Sequence, residues 1–467
     1  MEQKTYDVCI IGSGPGGYVA AVRAAQLGLS VLIVERDSRL GGVCTLRGCI
    51  PTKALLHTAD LLEEARHGAD VGVGAREVRL ELAAAMKHKE KAIRQSSNGV
   101  SYLMKKNRVD VANGFGRIQG VGKVTVAAAD GSETTYSAKN IVVATGSEPR
   151  SLPGIEIDHK TILSSDSILE VTEVPKSLIV IGSGAVGVEF ASMFARFGSK
   201  TTIVEILPRI VPLEDDEISR ELAASFKRQG IAVYVDARVE RVTKTEGGVE
   251  VLARTSGGKT ETFRAEKILL AVGRKPLSEN IGLERVGVST ERGYITIDSM
   301  MQTNVSGIYA IGDVIPTSWL AHVAMAEGVV AVEHMAGKQT RPLNYDQVPG
   351  CTYCAPEVAS VGLTESRARE RGYDVAVGKF PFSANGKARV INDTTGFVKI
   401  VGEKKYDEVL GVHIVGPRAT ELIAEACAAL ELEATSESIA RTMHAHPTLS
   451  EALMEAAEDV AGHSIHQ

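Results

Sequence analysis

Tyr6-Asp-Val-Cys-Ile-Ile-Gly-Ser-Gly-Pro-Gly-Gly17 decides the fold, because Ser177-Leu-Ile-Val-Ile-Gly-Ser-Gly-Ala-Val-Gly187 repeats its arrangement in the middle of the chain. An apolar run runs into Gly12, Gly14 and Gly17. An Ala-rich helical stretch (Tyr18 to Leu27) and a second apolar strand (Val31 to Val34) follow, which makes a βαβ unit. The second copy has Gly182, Gly184 and Gly187, a helix through Phe197 and a strand from Thr201 to Val204. Glu35 and Glu205 close the second strand at the same distance from the first glycine of their copies.

Each glycine in this spacing has a mechanical task. The first makes the tight strand-to-helix turn, the second lets a pyrophosphate approach the backbone, and the third lets the helix pack on the strand. Free N–H groups and the helix dipole then hold the phosphates. The acid after the second strand accepts from a ribose hydroxyl, the role expected of Glu35 and Glu205. A lone fingerprint is equally an ordinary glycine loop; two with matched acids predict two dinucleotide sites. A carboxylate at Glu205, with no arginine directly after it, repels the extra phosphate of NADP and favours NAD.

With 467 residues the chain exceeds one hydrophobic core, so two to four domains are expected. Hydrophobic residues at 44% and charged residues at 24% exclude a disordered or fibrous chain. The net charge of −6, without long single-sign runs, argues against nucleic acid and against an anionic membrane surface. No apolar stretch is long enough to span a bilayer and no secretory leader is recognisable, so the expected location is the cytoplasm. Buried strands close each copy at Ile141 to Ser147 and Ile268 to Arg274, and a further one runs from Ile308 to Asp313. Beyond about Val348 strand-like runs (Phe397 to Val401, Val409 to Val415) precede amphipathic helices from Thr420 onward, which predicts a separate α+β domain.

Six cysteines are too few for a stapled secreted scaffold, and no four-ligand set is spaced for zinc, so no metal is expected. Cys44-Thr-Leu-Arg-Gly-Cys49 places two thiols five residues apart at an apparent helix start. In a regular helix such residues lie roughly 8 to 9 Å apart, and a disulfide needs Cα atoms within about 7 Å. Closing a bridge here must deform the turn, which suits a reducible disulfide; two unrelated core cysteines are the alternative. Arg47 between them reads as a solvated surface residue, and Cys351 and Cys354 as spectator thiols.

The cysteine segment resembles the redox-active disulfide of the pyridine nucleotide-disulfide oxidoreductases, and the whole chain is similar to the members that oxidise dihydrolipoyl groups. The resemblance is carried by Ala144-Thr-Gly-Ser147, Gly182-x-Gly184-x-x-Gly187-Val-Glu189-Phe190, Ala271-Val-Gly-Arg-Lys-Pro276, Gly312-Asp313, Leu320-Ala-His322 and His444-Ala-His446-Pro-Thr-Leu-Ser-Glu451. The family more commonly has Leu-Asn-Val-Gly between its cysteines. The resemblance implies two Rossmann-like domains and a C-terminal dimerisation domain. It places an FAD-binding domain at 1–149, an NAD-binding domain at 150–276, a segment completing the first at 277–347 and the interface domain at 348–467. FAD would lie with Gly12, Gly14, Gly17, Glu35, Lys53, Gly116, Thr145, Gly146, Asp313, Ala321 and His322; NAD would lie with Gly182, Gly184, Gly187, Glu189, Glu205 and Gly273. Cys49 would face the flavin, Cys44 would exchange with substrate, and Lys53 and Glu189 would pair near the flavin's reactive edge.

Dithiol oxidation needs a proton acceptor, and histidine titrates in the right range. His446 is the candidate, with Glu451 orienting it; read from residues alone, Thr448-Leu-Ser-Glu451 is rather a capping box opening a helix. The family resemblance turns the reading toward catalysis and implies that the base comes from a second subunit, hence a homodimer with shared sites. His444 reads as a weaker contact or a core histidine, His322 and His413 as structural or cofactor-adjacent, and Trp319 as core filling beside the cofactor. The implied partners are dihydrolipoyl groups of 2-oxo acid dehydrogenase or glycine cleavage complexes, docked as a separate component. Alternatives are a glutathione-reductase-like enzyme, which Glu205 disfavours, and a thiol-independent flavin transhydrogenase or oxidase.

Overall fold

The computed structural model describes residues 4–467, which divide into two compact units. The first comprises Met1–Ala54, Ala83–Arg150 and Arg274–Tyr345; the second comprises Leu55–Leu82, Ser151–Gly273 and Asp346–Gln467.

In the first unit β1 (Thr5–Ile11) pairs in parallel with β2 (Val31–Glu35), Val8 opposite Val31 and Ile11 opposite Val34. Strands covered on both faces read as continuous apolar runs, and Val8, Cys9, Ile10, Leu32 and Ile33 are accordingly buried. The sheet runs Asp110–Asn113, β2, β1, Glu133–Val143, then an antiparallel meander through Lys123–Ala127 and Phe115–Gly120; Ile308–Ala310 adds to Glu133–Val143. Between β1 and β2 lies α1 (Pro15–Gln26), which starts earlier than its alanine run suggests. Proline is suited to a first helical position, so the helix takes up the glycines of the fingerprint itself. Gly16 and Ala20 then sit directly against Gly328 of the helix Ala321–Met335, where a Cβ on Gly328 would lie 2.8 Å from the Gly16 carbonyl oxygen. After β2 come α2 (Gly42–Arg47) and α3 (Cys49–Arg66).

The second unit repeats the βαβ theme with β3 (Ser177–Ile181), α4 (Ala185–Phe197) and β4 (Lys200–Val204). Its five-stranded sheet is parallel throughout, in the order Ala232–Tyr234, β4, β3, Lys267–Leu270, Ile162–Leu163. A second, antiparallel sheet orders Gly350–Thr352, Glu357–Gly362, Val409–Gly416, Phe397–Glu403 and Val375–Pro381. On it pack α5 (Ala419–Glu431) and α6 (Glu451–Val460), the latter so closely that a Cβ on Gly378 would lie 2.0 Å from the Ala456 carbonyl oxygen. The amphipathic helices expected from Thr420 onward are present, with a short helix at Ser436–Ala440 and an irregular stretch between α5 and α6. Pro447, which has no N–H and clashes with a preceding helical turn, lies in that stretch.

The parallel and antiparallel sheets of the second unit are joined by a buried ion cluster. Lys399 Nζ donates to Asp215 at 2.9 Å, to Glu217 at 2.9 Å and to Glu365 at 2.8 Å, with Lys399 and Asp215 almost fully buried. Burial opposes the ammonium charge, but the hydrogen bonds to these carboxylates outweigh it and raise the lysine pKa. Asp215 also accepts from Glu217 N and so caps the helix Asp216–Arg228. Lys399→Met leaves Asp215 buried without its counter-ion, and is expected to destabilise the protein by about 3 to 5 kcal/mol; a thermal or urea melt checks this, and an unchanged midpoint would refute it.

Candidate active site

The two fingerprint turns have the same construction. A Cβ at Gly17 would stand 2.0 Å from the Gly12 carbonyl oxygen, and one at Gly187 would stand 2.1 Å from that of Gly182; neither position tolerates a side chain. At Gly14 and Gly184 a Cβ would meet nothing within 4 Å. The backbone there borders open space at the N-termini of α1 and α4, where unpaired N–H groups attract phosphate. Both turns therefore fit a dinucleotide.

The acids expected at the riboses lie at the turns, each with both carboxylate oxygens engaged. Glu35 Oε2 accepts from Ser13 N (2.9 Å) and Ser13 Oγ (2.5 Å), and its Oε1 from Asp37 N (2.8 Å). Glu205 repeats this with Ser183 N (2.7 Å), Ser183 Oγ (2.7 Å) and Leu207 N (2.8 Å). An ionised carboxylate has about four acceptor sites, so a ribose hydroxyl can be added to these three. Sequence reasoning passed over Ser13 and Ser183, both fully buried; the shared Gly-Ser-Gly was the available signal.

The cysteine turn is not the start of one helix. α2 ends at Arg47 and α3 begins at Cys49, with Gly48 between them folded back so that its Cβ position lies 3.1 Å from Val43 O and 3.3 Å from Cys44 Cα. This break overcomes the five-residue spacing. Both thiols are part-buried, and Cys44 is hydrogen-bonded to Cys49. That bond is the main reason the Cys44 thiol is held far above its ordinary pKa; burial and the Cys49 charge add to it, and Lys53 acts against it. Cys49, as the first residue of an 18-residue helix, sits where the dipole favours negative charge. The dithiol is thus asymmetric in placement: Cys44 lies in α2, and Cys49 begins α3. Arg47, read as a solvated surface residue, is part-buried and donates from Nη2 to Asp37 Oδ2 at 2.8 Å.

Of the other residues expected at the first dinucleotide, Thr145 Oγ1 donates to Leu277 O at 2.6 Å, and Gly146 O accepts from Leu277 N. Asp313 accepts from Ser147 Oγ at 2.5 Å. The Gly312–Asp313 turn is held by Glu327, missed in the sequence: its Oε2 accepts from Gly312 N at 2.7 Å and its Oε1 from Thr317 and Tyr345, while burial pushes its carboxyl up. Ala321 and His322 open the helix Ala321–Met335, His322 on the surface. Gly116 is buried with its Cβ position 3.0 Å from Ile11 and 3.1 Å from Val34, beneath the first βαβ unit. Trp319, expected as core, is only half-buried, tilted against Tyr294. In the second unit Glu189 lies buried on α4 and accepts from Tyr353 N at 3.0 Å, and Gly273 has a positive φ of 100° with nothing beside its Cβ position. His413 is fully buried, its Nε2 3.0 Å from Leu363 O. Cys354 is buried and donates to Pro356 O, and burial pushes its thiol up.

The two readings of Glu451 turn out to be compatible. Its Oε1 lies 2.8 Å from His446 Nδ1, and its Oε2 accepts from Thr448 N at 2.8 Å. The hydroxyl half of the capping box is not made: Thr448 Oγ1 donates instead to Ala445 O, and α6 opens at Glu451 itself. Burial raises the Glu451 carboxyl, but Thr448 and His446 outweigh it and bring its pKa below the usual range. The His446 side chain is 78% exposed, with Nε2 available for proton transfer.

Among the described residues no group of three or more side chains is arranged to hold a metal, and no helix is long and apolar enough to cross a membrane. The pyridine nucleotide-disulphide oxidoreductase family model matches residues 6–328, and that of the family's dimerisation domain matches 348–457. The chain is 46% identical to the dihydrolipoyl dehydrogenase of Bacillus subtilis over 99% of both chains, and 45% identical to dihydrolipoyl dehydrogenase 3 of Pseudomonas putida over 98% of this chain and 99% of that one. Its fold superimposes on the crystal structure of LpdA from Mycobacterium tuberculosis with a TM-score of 0.90 at 30% identity, covering 97% of this chain and 99% of that one. Two Rossmann-like βαβ units, a third α+β layer and these matches agree, and the chain belongs to the pyridine nucleotide-disulphide oxidoreductases.

Proposed function

We propose that the chain oxidises dihydrolipoyl groups through a Cys44–Cys49 disulfide, with FAD at the first fingerprint and NAD at the second. The observation that carries this reading is the hydrogen-bonded, asymmetric cysteine pair brought together by the break at Gly48. One thiol of the substrate, losing its proton to His446, attacks Cys44 Sγ; the S–S bond breaks and Cys49 leaves as thiolate. The second substrate sulfur then displaces Cys44, closing the substrate's own disulfide, and its proton remains on Cys44. FAD, when bound, supplies the acceptor for the electron pair, and NAD carries it away as hydride.

Glu451 fixes the His446 tautomer with Nδ1 as the donor, which leaves Nε2 to take the proton. Glu205 disfavours a 2′-phosphate and so selects NAD. The family's dimerisation segment at 348–457 and the exposure of His446 both support a homodimer in which the base serves the partner's cysteines. The partners in this reading are dihydrolipoyl groups of 2-oxo acid dehydrogenase or glycine cleavage complexes, in the cytoplasm.

Anaerobic titration with dihydrolipoamide is expected to produce a long-wavelength absorbance, and NAD added afterwards to yield NADH. Cys44→Ser should abolish both while leaving FAD bound, and His446→Gln should slow the dithiol step by roughly a hundredfold or more; dithiol oxidation that survives Cys44→Ser would overturn the proposal. A second measurement separates the two dinucleotide sites. Losing one hydrogen bond to a buried carboxylate costs about 1.5 to 3 kcal/mol, so Ser183→Ala is expected to raise the KM for NAD about tenfold or more with FAD content unchanged. Ser13→Ala should lower FAD retention without moving that KM.

A further inference from the structure

We infer that His444 is a positioning residue: locked between Glu425 and its own backbone, it fixes the stretch that presents His446 and Glu451. The inference rests on the base assigned above. His444 and His446 are two residues apart but differ sharply in environment. The His444 side chain is 5% exposed and that of His446 78%. His444 Nε2 lies 2.7 Å from Glu425 Oε1, and its Nδ1 lies 2.7 Å from Thr442 O. Both ring nitrogens are therefore within hydrogen-bond distance of an oxygen. A ring engaged on both sides cannot serve as a second proton acceptor, and its plane and rotamer are fixed by two bonds instead of one.

Glu425 belongs to α5, a thirteen-residue helix packed on the antiparallel sheet, whereas residues 441–450 have no regular structure of their own. Much of the bonding within that stretch is local: Thr442 Oγ1 to Ser438 O, and Thr448 Oγ1 to Ala445 O. Two side-chain bonds tie it to more distant elements, His444 to Glu425 and Asn385 Nδ2 to Thr448 O at 3.0 Å. The first involves a carboxylate and a histidine side chain that is 5% exposed, so it is the stronger of the two. His444 is also among the influences that hold the Glu451 carboxyl down, after Thr448 and His446. His444 therefore acts on the pair twice, through the position of the backbone and through the ionisation of the orienting carboxylate.

Comparing the two half-reactions tests this. Rapid mixing with dihydrolipoamide reports the dithiol step, which needs the base; NADH-driven reduction of ferricyanide bypasses it. His444→Gln and Glu425→Ala are expected to slow the dithiol step by roughly ten- to a hundredfold, with ferricyanide turnover and sedimentation unchanged. Glu425→Gln, which keeps an acceptor oxygen, should restore part of the loss seen with Glu425→Ala. A dithiol rate within about twofold of the unsubstituted enzyme, or an equal fall in both half-reactions, would overturn the inference. Should His446→Gln itself leave the dithiol step intact, the base assignment fails; should His446→Gln abolish it while His444→Gln does not, only the positioning role fails.

Discussion

A buried carboxylate held by a serine is the constraint on which the first unit is organised. Removing Glu35 from water is costly unless its oxygens are satisfied, and here the donors come from the turn it must support: Ser13 N and Oγ on one oxygen, Asp37 N on the other. The turn cannot move without stranding the charge. The same serine hydroxyl accepts from Gly41 N at 3.0 Å, at the entrance to the cysteine turn. One oxygen atom thus connects the first fingerprint turn, the Glu35 carboxylate and the start of the turn that carries Cys44 and Cys49. Arg47 closes a second path between the same parts, since its partner Asp37 is bound through its own N–H to Glu35.

The second unit uses the lock without the attachment. Ser183 and Glu205 reproduce the bonds of Ser13 and Glu35, but Ser183 O accepts from Val211 N, within the loop that follows Glu205. Duplicated turns with different neighbours are what two dinucleotides with different tasks require: one must lie fixed beside a reacting sulfur pair, the other must bind and leave.

Much of this was legible in the sequence because its signals are local and periodic. Apolar runs, glycines and matched acids specified both βαβ units, and the cysteine spacing showed that the turn had to be deformed. What escaped depends on contacts that spacing cannot encode. Gly48 is the point where one helix stops and another starts, because its bare Cα lets the chain fold back over Val43 and Cys44. Glu327 sits in an alanine- and valine-rich helix and gave no sign that it holds the Gly312 turn. For Glu451 the capping and catalytic readings looked exclusive only because a carboxylate was treated as having one acceptor; with two oxygens it serves Thr448 and His446 together.

The exposure of His446 gives the base its last requirement. A pair left as open as His446 and Glu451, at 78% and 19%, gains little from Coulomb attraction in water, about 0 to 1 kcal/mol. Covered by another surface, the same contact would lie in a medium of lower effective dielectric and strengthen several-fold. A base built this way is weakly organised on a lone chain and becomes well organised on assembly. Chemistry and dimerisation would then be coupled through one hydrogen bond, and the bond between His444 and Glu425 would keep the exposed half of that arrangement in register until it is covered.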